Sequence, residues 1–278
     1  MNQSYLGTPF DLTGKVALVS GGAGLLGTEF CKALAGAGAK IVVADRNEKL
    51  LQAASIEILK KVPKAQIVTQ VLDVCAEDSI RKCVDQVCQK WNTVDILVNS
   101  AALDPKFEKN TDTKNYTLFP NYPRLLWEQS ISVNLTGAFL LTQAVCAVME
   151  KQNSGSVVFL GSNYGLVGPD QRIYKKKGEK SQAFKPAVYS VCKAGLLGFT
   201  KYLAAYYAGT KIRVNMLTPS GVFSNHEKEF EKNYALRTVL RRMSQKNEYA
   251  GAVIFLASEA SSYMTGANLV IDGGWTAL

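Results

Sequence analysis

The 278-residue chain carries one histidine, His226, and six cysteines, Cys31, Cys75, Cys83, Cys88, Cys146 and Cys192, scattered without a C-x-x-C pair. That supply excludes a Cys/His zinc site and a disulfide framework. The cysteines read as reduced, mostly buried thiols of a cytoplasmic protein. The opening MNQSYLGTPFDLTGK lacks the basic patch and apolar core of a secretory leader. No apolar run reaches the ~18 residues of a membrane span, because the most apolar stretch, Thr136 to Met149, holds two threonines and a glutamine. No membrane role and no metal are expected. Repeats and flexible linkers are also missing, so one domain over 1–278 is expected. With 47% hydrophobic and 20% charged residues, disorder and collagen-like structure are excluded.

Lys and Arg number 32 against 23 Asp and Glu, a net +9. The cations are spread, bunching only at Lys175–Lys177 and at Arg237, Arg241 and Arg242. Without a basic helix interleaved with aromatics, nucleic acid is not the expected partner, and an anionic small molecule is.

Val/Ile/Leu runs recur at Val16–Val19, Ile41–Ala44, Ile67–Leu72, Ile96–Val98, Val157–Leu160, Val214–Leu217 and Leu269–Ile271. Continuous apolar runs suit strands covered on both faces. Helical spacing lies between them, as in Leu26, Phe30 and Leu34 or Ile80, Val84 and Val87. This alternation predicts an α/β fold: a doubly wound parallel Rossmann-type sheet of about seven strands with helices on both faces. Two longer helices are expected over about 123–150 and 186–207, each opening at a proline in its first turn. Two polar stretches, 103–122 and 169–185, follow carboxyl ends of strands, where ligands sit in such sheets. Residues 222–247 read as a helical lid over the same edge.

Ser20-Gly21-Gly22-Ala23-Gly24-Leu25-Leu26-Gly27 lies between the first strand and the first helix. Gly21, Gly24 and Gly27 permit a tight turn and close approach of a pyrophosphate, met by the free N–H groups about Leu25 and Leu26 at the helix start. Asp45, eighteen residues beyond Gly27, ends the second strand, where a carboxylate binds ribose hydroxyls and repels a 2′-phosphate. NAD is favoured, with NADP kept open by Arg46; Asp45 as a mere helix cap is the competing reading. Tyr189 and Lys193 are four apart on one helical face. A phenol, with an ordinary pKa near ~10, needs a nearby cation to exchange protons at neutral pH.

These residues, with Asp73-Val74 after the third strand, Asn99-Ser100-Ala101-Ala102 after the fourth, Asn134 in VNLTGAF, Ser162 in GSVVFLGS, Pro219 and the ending Ile271-Asp272-Gly273-Gly274, resemble the short-chain dehydrogenase/reductase family over nearly the whole chain. GGAGLLG, Ser162–Gly165 and GPDQRIY are similar to the oxidoreductases of flagellin-modification and nonulosonic-acid pathways. The resemblance implies a catalytic group of Asn134, Ser162, Tyr189 and Lys193. Tyr189 would exchange the proton and Lys193 lower its pKa and bind the nicotinamide ribose. Ser162 would bond the reacting oxygen, and Asn134 would hold a water leading to Lys193. It further implies that Asp73 with Val74 meets adenine, that Asn99 and Ala101 line the cofactor, and that Val222, just after Pro219, meets the carboxamide. Leu25, Ser100, Ala102 and Ser220 depart from the family pattern, leaving the cofactor's seating open but not the catalytic group.

The expected activity is NAD(P)-dependent interconversion of an alcohol and a carbonyl on a sugar, phosphosugar or nucleotide sugar. A 3-oxoacyl thioester reductase and a non-catalytic dinucleotide sensor are the alternatives. Arg172, Lys175, Lys176, Lys177, Lys180 and Lys185, against Asp170 and Glu179, make the loop before Tyr189 cationic and suited to an anionic substrate, with a merely solvated loop as the other reading. Glu227, Glu229 and Glu231 read as a wetted face, and His226 as a lid residue able to touch substrate. Phe139, Leu140, Val145 and Val148 offer apolar surface for a dimer or tetramer.

Overall fold

Chains of apolar residues that alternate with amphipathic helices can hide their faces only by stacking a sheet between helical layers. The computed structural model, which describes residues 9–104, 117–175, 178 and 182–278, follows that rule. The first half runs β1 (Val16–Ser20), α1 (Leu25–Gly36), β2 (Lys40–Asp45), α2 (Glu48–Lys61), β3 (Ile67–Val71), α3 (Glu77–Trp91) and β4 (Ile96–Asn99). After the polar segment, 105–116 of which lies outside the described residues, come α4 (Arg124–Ile131), α5 (Gly137–Gln152) and β5 (Ser154–Leu160). The chain closes with α6 (Ala187–Tyr206), β6 (Lys211–Pro219), α7 (Lys228–Ala235), α8 (Ala250–Ala257) and β7 (Asn268–Ile271).

All seven strands are parallel, in the order β3-β2-β1-β4-β5-β6-β7. The order reverses between β1 and β4, which opens a crevice at their carboxyl ends. One face of the sheet packs against α3, α5 and α6 around Leu18, Leu97, Leu141, Met149 and Phe159. The other packs against α1, α2 and α8 around Phe30, Ile41, Ile58, Val158 and Leu256. The helices stop where their end residues dictate: Asn92 and Asn153, both left-handed, terminate α3 and α5 and turn the chain into β4 and β5.

Three expectations are corrected. Pro123 and Pro186 are extended residues just ahead of α4 and α6, not members of the first turn. The first long helix is interrupted by a π turn, Ser132–Thr136, which holds Asn134 and joins α4 to α5. The whole Arg124–Gln152 run is 29 residues and apolar enough to cross a membrane by length and composition. Its inner face, Leu141, Val145 and Met149, is fully buried in the sheet-packing core instead. Third, residues 222–247 hold only the eight-residue α7 and the one-turn helix Lys246–Tyr249. The rest is irregular chain, tied by the pairing of Val222 with Ser244.

A buried amide fastens the crevice. Asn99 Nδ2 donates to Ala138 O and Thr142 Oγ1, both 3.1 Å, and its Oδ1 accepts from Ser20 Oγ at 3.1 Å. One side chain thereby joins β1, β4 and α5. Removing it leaves the buried Ser20 hydroxyl without its acceptor, while Ala138 O keeps the Thr142 hydroxyl at 2.7 Å; an unsatisfied buried group of this kind costs about 1–3 kcal/mol. Asn99→Ala should lower the unfolding free energy by that amount, read as a fall in the urea midpoint at unchanged slope.

Candidate functional site

The turn from β1 to α1 sits where the first unit's carboxyl end meets the crevice. Gly21 takes φ +63°, and a Cβ on it would lie 2.8 Å from Ala101 Cα, so only glycine lets the turn lie against the β4 loop. Gly24 is the N-cap of α1, which begins with no side-chain cap and no acidic residue in its first turn. Leu25 is exposed there, and Leu26 and Gly27 follow along the first turn. An uncapped, uncharged helix start beside a glycine turn fits a pyrophosphate. Ser100, a departure from the family pattern, donates from Oγ to Ser20 O at 2.5 Å, and Ala101 N donates to Ser20 Oγ at 3.3 Å. These bonds zip the carboxyl ends of β1 and β4 together.

Asp45 lies half-buried at the end of β2, with Oδ1 accepting from Asn47 N at 3.1 Å. The cap of α2 is Asn47, which accepts from Leu50 N. The cap reading of Asp45 is thereby removed. Arg46 is exposed beside it. Asp73 accepts from Cys75 N and stands exposed at the β3–α3 turn, followed by buried Val74. Pro219 ends β6, and Val222 follows in the strand-like pairing with Ser244. Asn99 behaves differently: its side chain is turned into the core network rather than toward the crevice.

Ser162, Tyr189 and Lys193 converge at the carboxyl end of β5. Lys193 is 3% exposed, and its Nζ donates to Leu160 O at 2.7 Å. That bond docks α6 on the strand end. Its ammonium is 5.7 Å from the centroid of the Tyr189 ring, one helical turn back. Ser162 is buried two residues beyond β5, accepts from Tyr164 N at 3.2 Å, and lies near enough to the phenol for its hydroxyl to lower the phenol's pKa. Gly165 makes the approach possible, because a Cβ there would sit 2.7 Å from the Lys193 carbonyl carbon. Burial raises the Tyr189 pKa, the nearby Asp104 carboxylate adds to this, and Ser162 opposes it. Burial also depresses Lys193, to about 8.

Asn134 is buried, but its amide is occupied: Oδ1 accepts from Leu103 N at 2.6 Å and Nδ2 donates to Leu103 O at 2.9 Å. It holds the chain after β4 beside the site. Of the cationic loop, Arg172 is paired with Asp170, and Lys185 with Asp104. Lys175 is exposed, and Lys176, Lys177 and Lys180 lie outside the described residues. Below the site, Tyr164, Ile173, Tyr234, Met243 and Trp275 form a third buried cluster, against which Tyr189 itself packs. His226 accepts from Ser224 N and stacks on Phe230 at 5.1 Å, on the outer side of that cluster. Sequence reading missed Asp104, Gln171 and the aromatic cluster, and counted Lys185 only as loop charge. Their meeting depends on long-range packing that leaves no local pattern.

The family model described as Enoyl-(Acyl carrier protein) reductase matches residues 22–276. The 3-oxoacyl-acyl-carrier-protein reductase of Aquifex aeolicus is 32% identical over 268 residues, 95% of this chain and 98% of that protein. D-threitol dehydrogenase of Mycolicibacterium smegmatis is 31% identical over 275 residues, covering 96% and 95%. Post-translational flagellin modification protein A of Campylobacter coli is 27% identical over 265 residues, covering 95% and 99%. Among solved structures, a short-chain type dehydrogenase/reductase from Mycobacterium marinum superposes with TM-score 0.82 at 29% identity, covering 97% and 98%. An NAD+-bound xylitol dehydrogenase gives 0.81 at 28%, covering 95% and 99%. A gluconate 5-dehydrogenase from Burkholderia cenocepacia, in complex with NADP and tartrate, gives 0.84 at 27%, covering 99% and 100%.

The buried Lys193 makes stability depend on pH. Its folded pKa, about 8, lies below the ordinary 10.5, so the unfolded chain binds more protons between those values. Stability is therefore reduced below about pH 8 and recovers as pH rises from there toward 10.5, at up to about 1.4 kcal/mol per unit. Urea unfolding at pH 8, 9 and 10 should show this rise in the parent and a smaller one in Lys193→Met.

Proposed function

We propose a function on one premise: the chain belongs to the short-chain dehydrogenase/reductase family and is an oxidoreductase that uses a nicotinamide dinucleotide on a small-molecule substrate. Our reading is that it interconverts an alcohol and a carbonyl on a sugar, phosphosugar or nucleotide sugar, with NAD as its cofactor. The observation that carries it is the meeting of Ser162, Tyr189 and Lys193 at the carboxyl end of β5.

When bound, the nicotinamide supplies or accepts the hydride. Tyr189 gives or takes the proton at the substrate oxygen, and Ser162 bonds that oxygen and holds it in line. Lys193, fixed on Leu160 O, keeps a cation beside the phenol and reaches the nicotinamide ribose. Asn134 acts by holding Leu103, and with it the β4 loop, against the site. For the cofactor, the Gly21–Gly27 turn with Leu25 and Leu26 takes the pyrophosphate. Asp45 takes the adenosine ribose, Asp73 and Val74 the adenine side, and Ala101, Pro219 and Val222 the nicotinamide side. Asn99 serves the seat indirectly, by bracing β1 against β4.

The acyl-carrier relative and the family model's description support a second reading, reduction of a 3-oxoacyl thioester. The polyol relative and the gluconate enzyme favour the first. We read residues 1–278 as one dinucleotide-binding domain, placed in the cytoplasm because six free cysteines suit a reducing compartment. Of the apolar surface expected for pairing, Val145 is buried in the core and Leu140 and Val148 are half-buried; exposed Phe139, with Tyr202 and Tyr206, suits pairing between copies.

Tyr189→Phe should lower kcat by about a hundred- to ten-thousand-fold while NADH binding, followed by its fluorescence, stays within twofold. Sugars, sugar phosphates and nucleotide sugars assayed beside acetoacetyl-coenzyme A separate the two substrate readings; turnover confined to the thioester overturns the first. At equal concentrations NAD should give faster turnover than NADP. Asp45→Ser should narrow that gap at least tenfold by removing the charge that repels a 2′-phosphate.

A further inference from the structure

We propose that Asp104 and Lys185 are positioning residues for Tyr189, a second charged pair laid over its ring that sets the proton affinity of the phenol. The inference rests on the reading of Tyr189 as the proton-exchanging group.

Lys185 lies nearer the centre of the Tyr189 ring than Lys193 does. Its ammonium is 4.2 Å from the Tyr189 ring centroid, against 5.7 Å for Lys193. The Lys185 side chain is 9% exposed and pairs with Asp104, whose own side chain is 54% exposed. The cation therefore sits on the ring and its counter-ion faces water. An ion pair with its carboxylate half in water adds little to stability, and side-chain amides hold the backbone on both sides of it.

Lys185 is pinned through its own backbone, and Asp104 through that of the residue before it, by a side-chain amide. Gln171 accepts from Lys185 N at 2.9 Å and donates to Lys185 O at 3.2 Å. Asn134 grips Leu103, the residue before Asp104, in the same two-bond manner, at 2.6 and 2.9 Å. Two reciprocal clamps, from segments far apart in the chain, thus present a carboxylate and an ammonium to each other beside one phenol. The clamps fix where the two charges stand relative to the Tyr189 ring.

The ionisable groups facing the phenol among the described residues are few. Lys193 comes from α6 itself, and Lys185 from the segment leading into it. Asp104 comes from the loop after β4, Tyr174 from the one-turn helix Gln171–Tyr174, Tyr234 from α7 and Tyr164 from the turn after β5. Burial raises the pKa of all three tyrosines, so they stay uncharged near neutrality. The fixed charges are then two ammoniums and one carboxylate. A cation within a few ångströms stabilises the phenolate and a carboxylate opposes it, each by about one pKa unit or more. Asp104 offsets one of the two lysines, leaving a single net positive charge beside the phenol.

The test titrates Tyr189 directly in the full-length protein labelled with 13Cζ-tyrosine, its resonance assigned by its loss in Tyr189→Phe. Asp104→Asn should move the midpoint down by about one pH unit or more. Lys185→Met should move it up, and Lys185→Arg, which stays charged through the alkaline range where a lysine does not, should hold it at or below the parent's value. The proposal is overturned if Asp104→Asn leaves the midpoint within ~0.2 unit of the parent's or raises it. If Lys185→Met does not fold, Asp104→Asn against Lys185→Arg still decides. No turnover is required, so a protein inactive on every sugar and thioester offered still gives a clear answer, separate from that on the substrate.

Discussion

A lysine ammonium placed inside a protein must find an acceptor or lose its proton. In this chain the acceptor for Lys193 is the carbonyl of Leu160, the last residue of β5. That one bond sets the height of α6 on the sheet. Because Tyr189 is one turn back along the same helix, its phenol is brought to the level where the chain leaves β5 and Ser162 follows. The position of the hydroxyl pair is therefore a consequence of where a buried charge is satisfied. A helix shifted by a turn would leave the ammonium dehydrated and unpaired, at a cost of several kcal/mol.

The other half of the crevice is held by neutral hydrogen bonds. Ser20, at the end of β1, takes part in three: its hydroxyl donates to Asn99 and accepts from Ala101 N, and its carbonyl accepts from Ser100 Oγ. The serine that departs from the family pattern at position 100 thus ties together the two strands between which the order reverses. The glycine turn rests against this seam through Gly21, so its shape is inherited from the strand ends rather than from the loop.

The strands were legible because parallel strands covered on both faces must be apolar throughout, and Val16–Val19 and Ile41–Ala44 are. The Tyr189/Lys193 spacing was legible because four residues make one helical turn. The place of Asp45 at the end of β2 was legible by its distance from the glycines, whereas its not being the cap of α2 shows only in the structure, which gives that cap to Asn47. What escaped has a common cause. Asn99 reads as a crevice residue until Thr142 and Ala138 claim its amide. The π turn at Asn134 has no sequence pattern of its own. Asp104 and Lys185 are 81 residues apart, and nothing local marks either as the other's partner.

The tyrosines differ in their charged neighbours although they share one environment. Tyr164, Tyr174 and Tyr234 share one cluster with Tyr189 and experience the same kind of burial, which drives every phenol toward its neutral form. Tyr164 and Tyr174 bond to each other through their hydroxyls, and Tyr234 bonds to Asn163. Both lysine–tyrosine ring contacts among the described residues fall on Tyr189. The cluster therefore supplies a dry floor that raises every phenol's pKa, and Tyr189 is the one of the four with ammoniums over its ring. The charges beside that ring stand where carbonyl and amide groups hold them: Lys193 on Leu160 O, Lys185 on the Gln171 amide, and Asp104 next to Leu103 on the Asn134 amide.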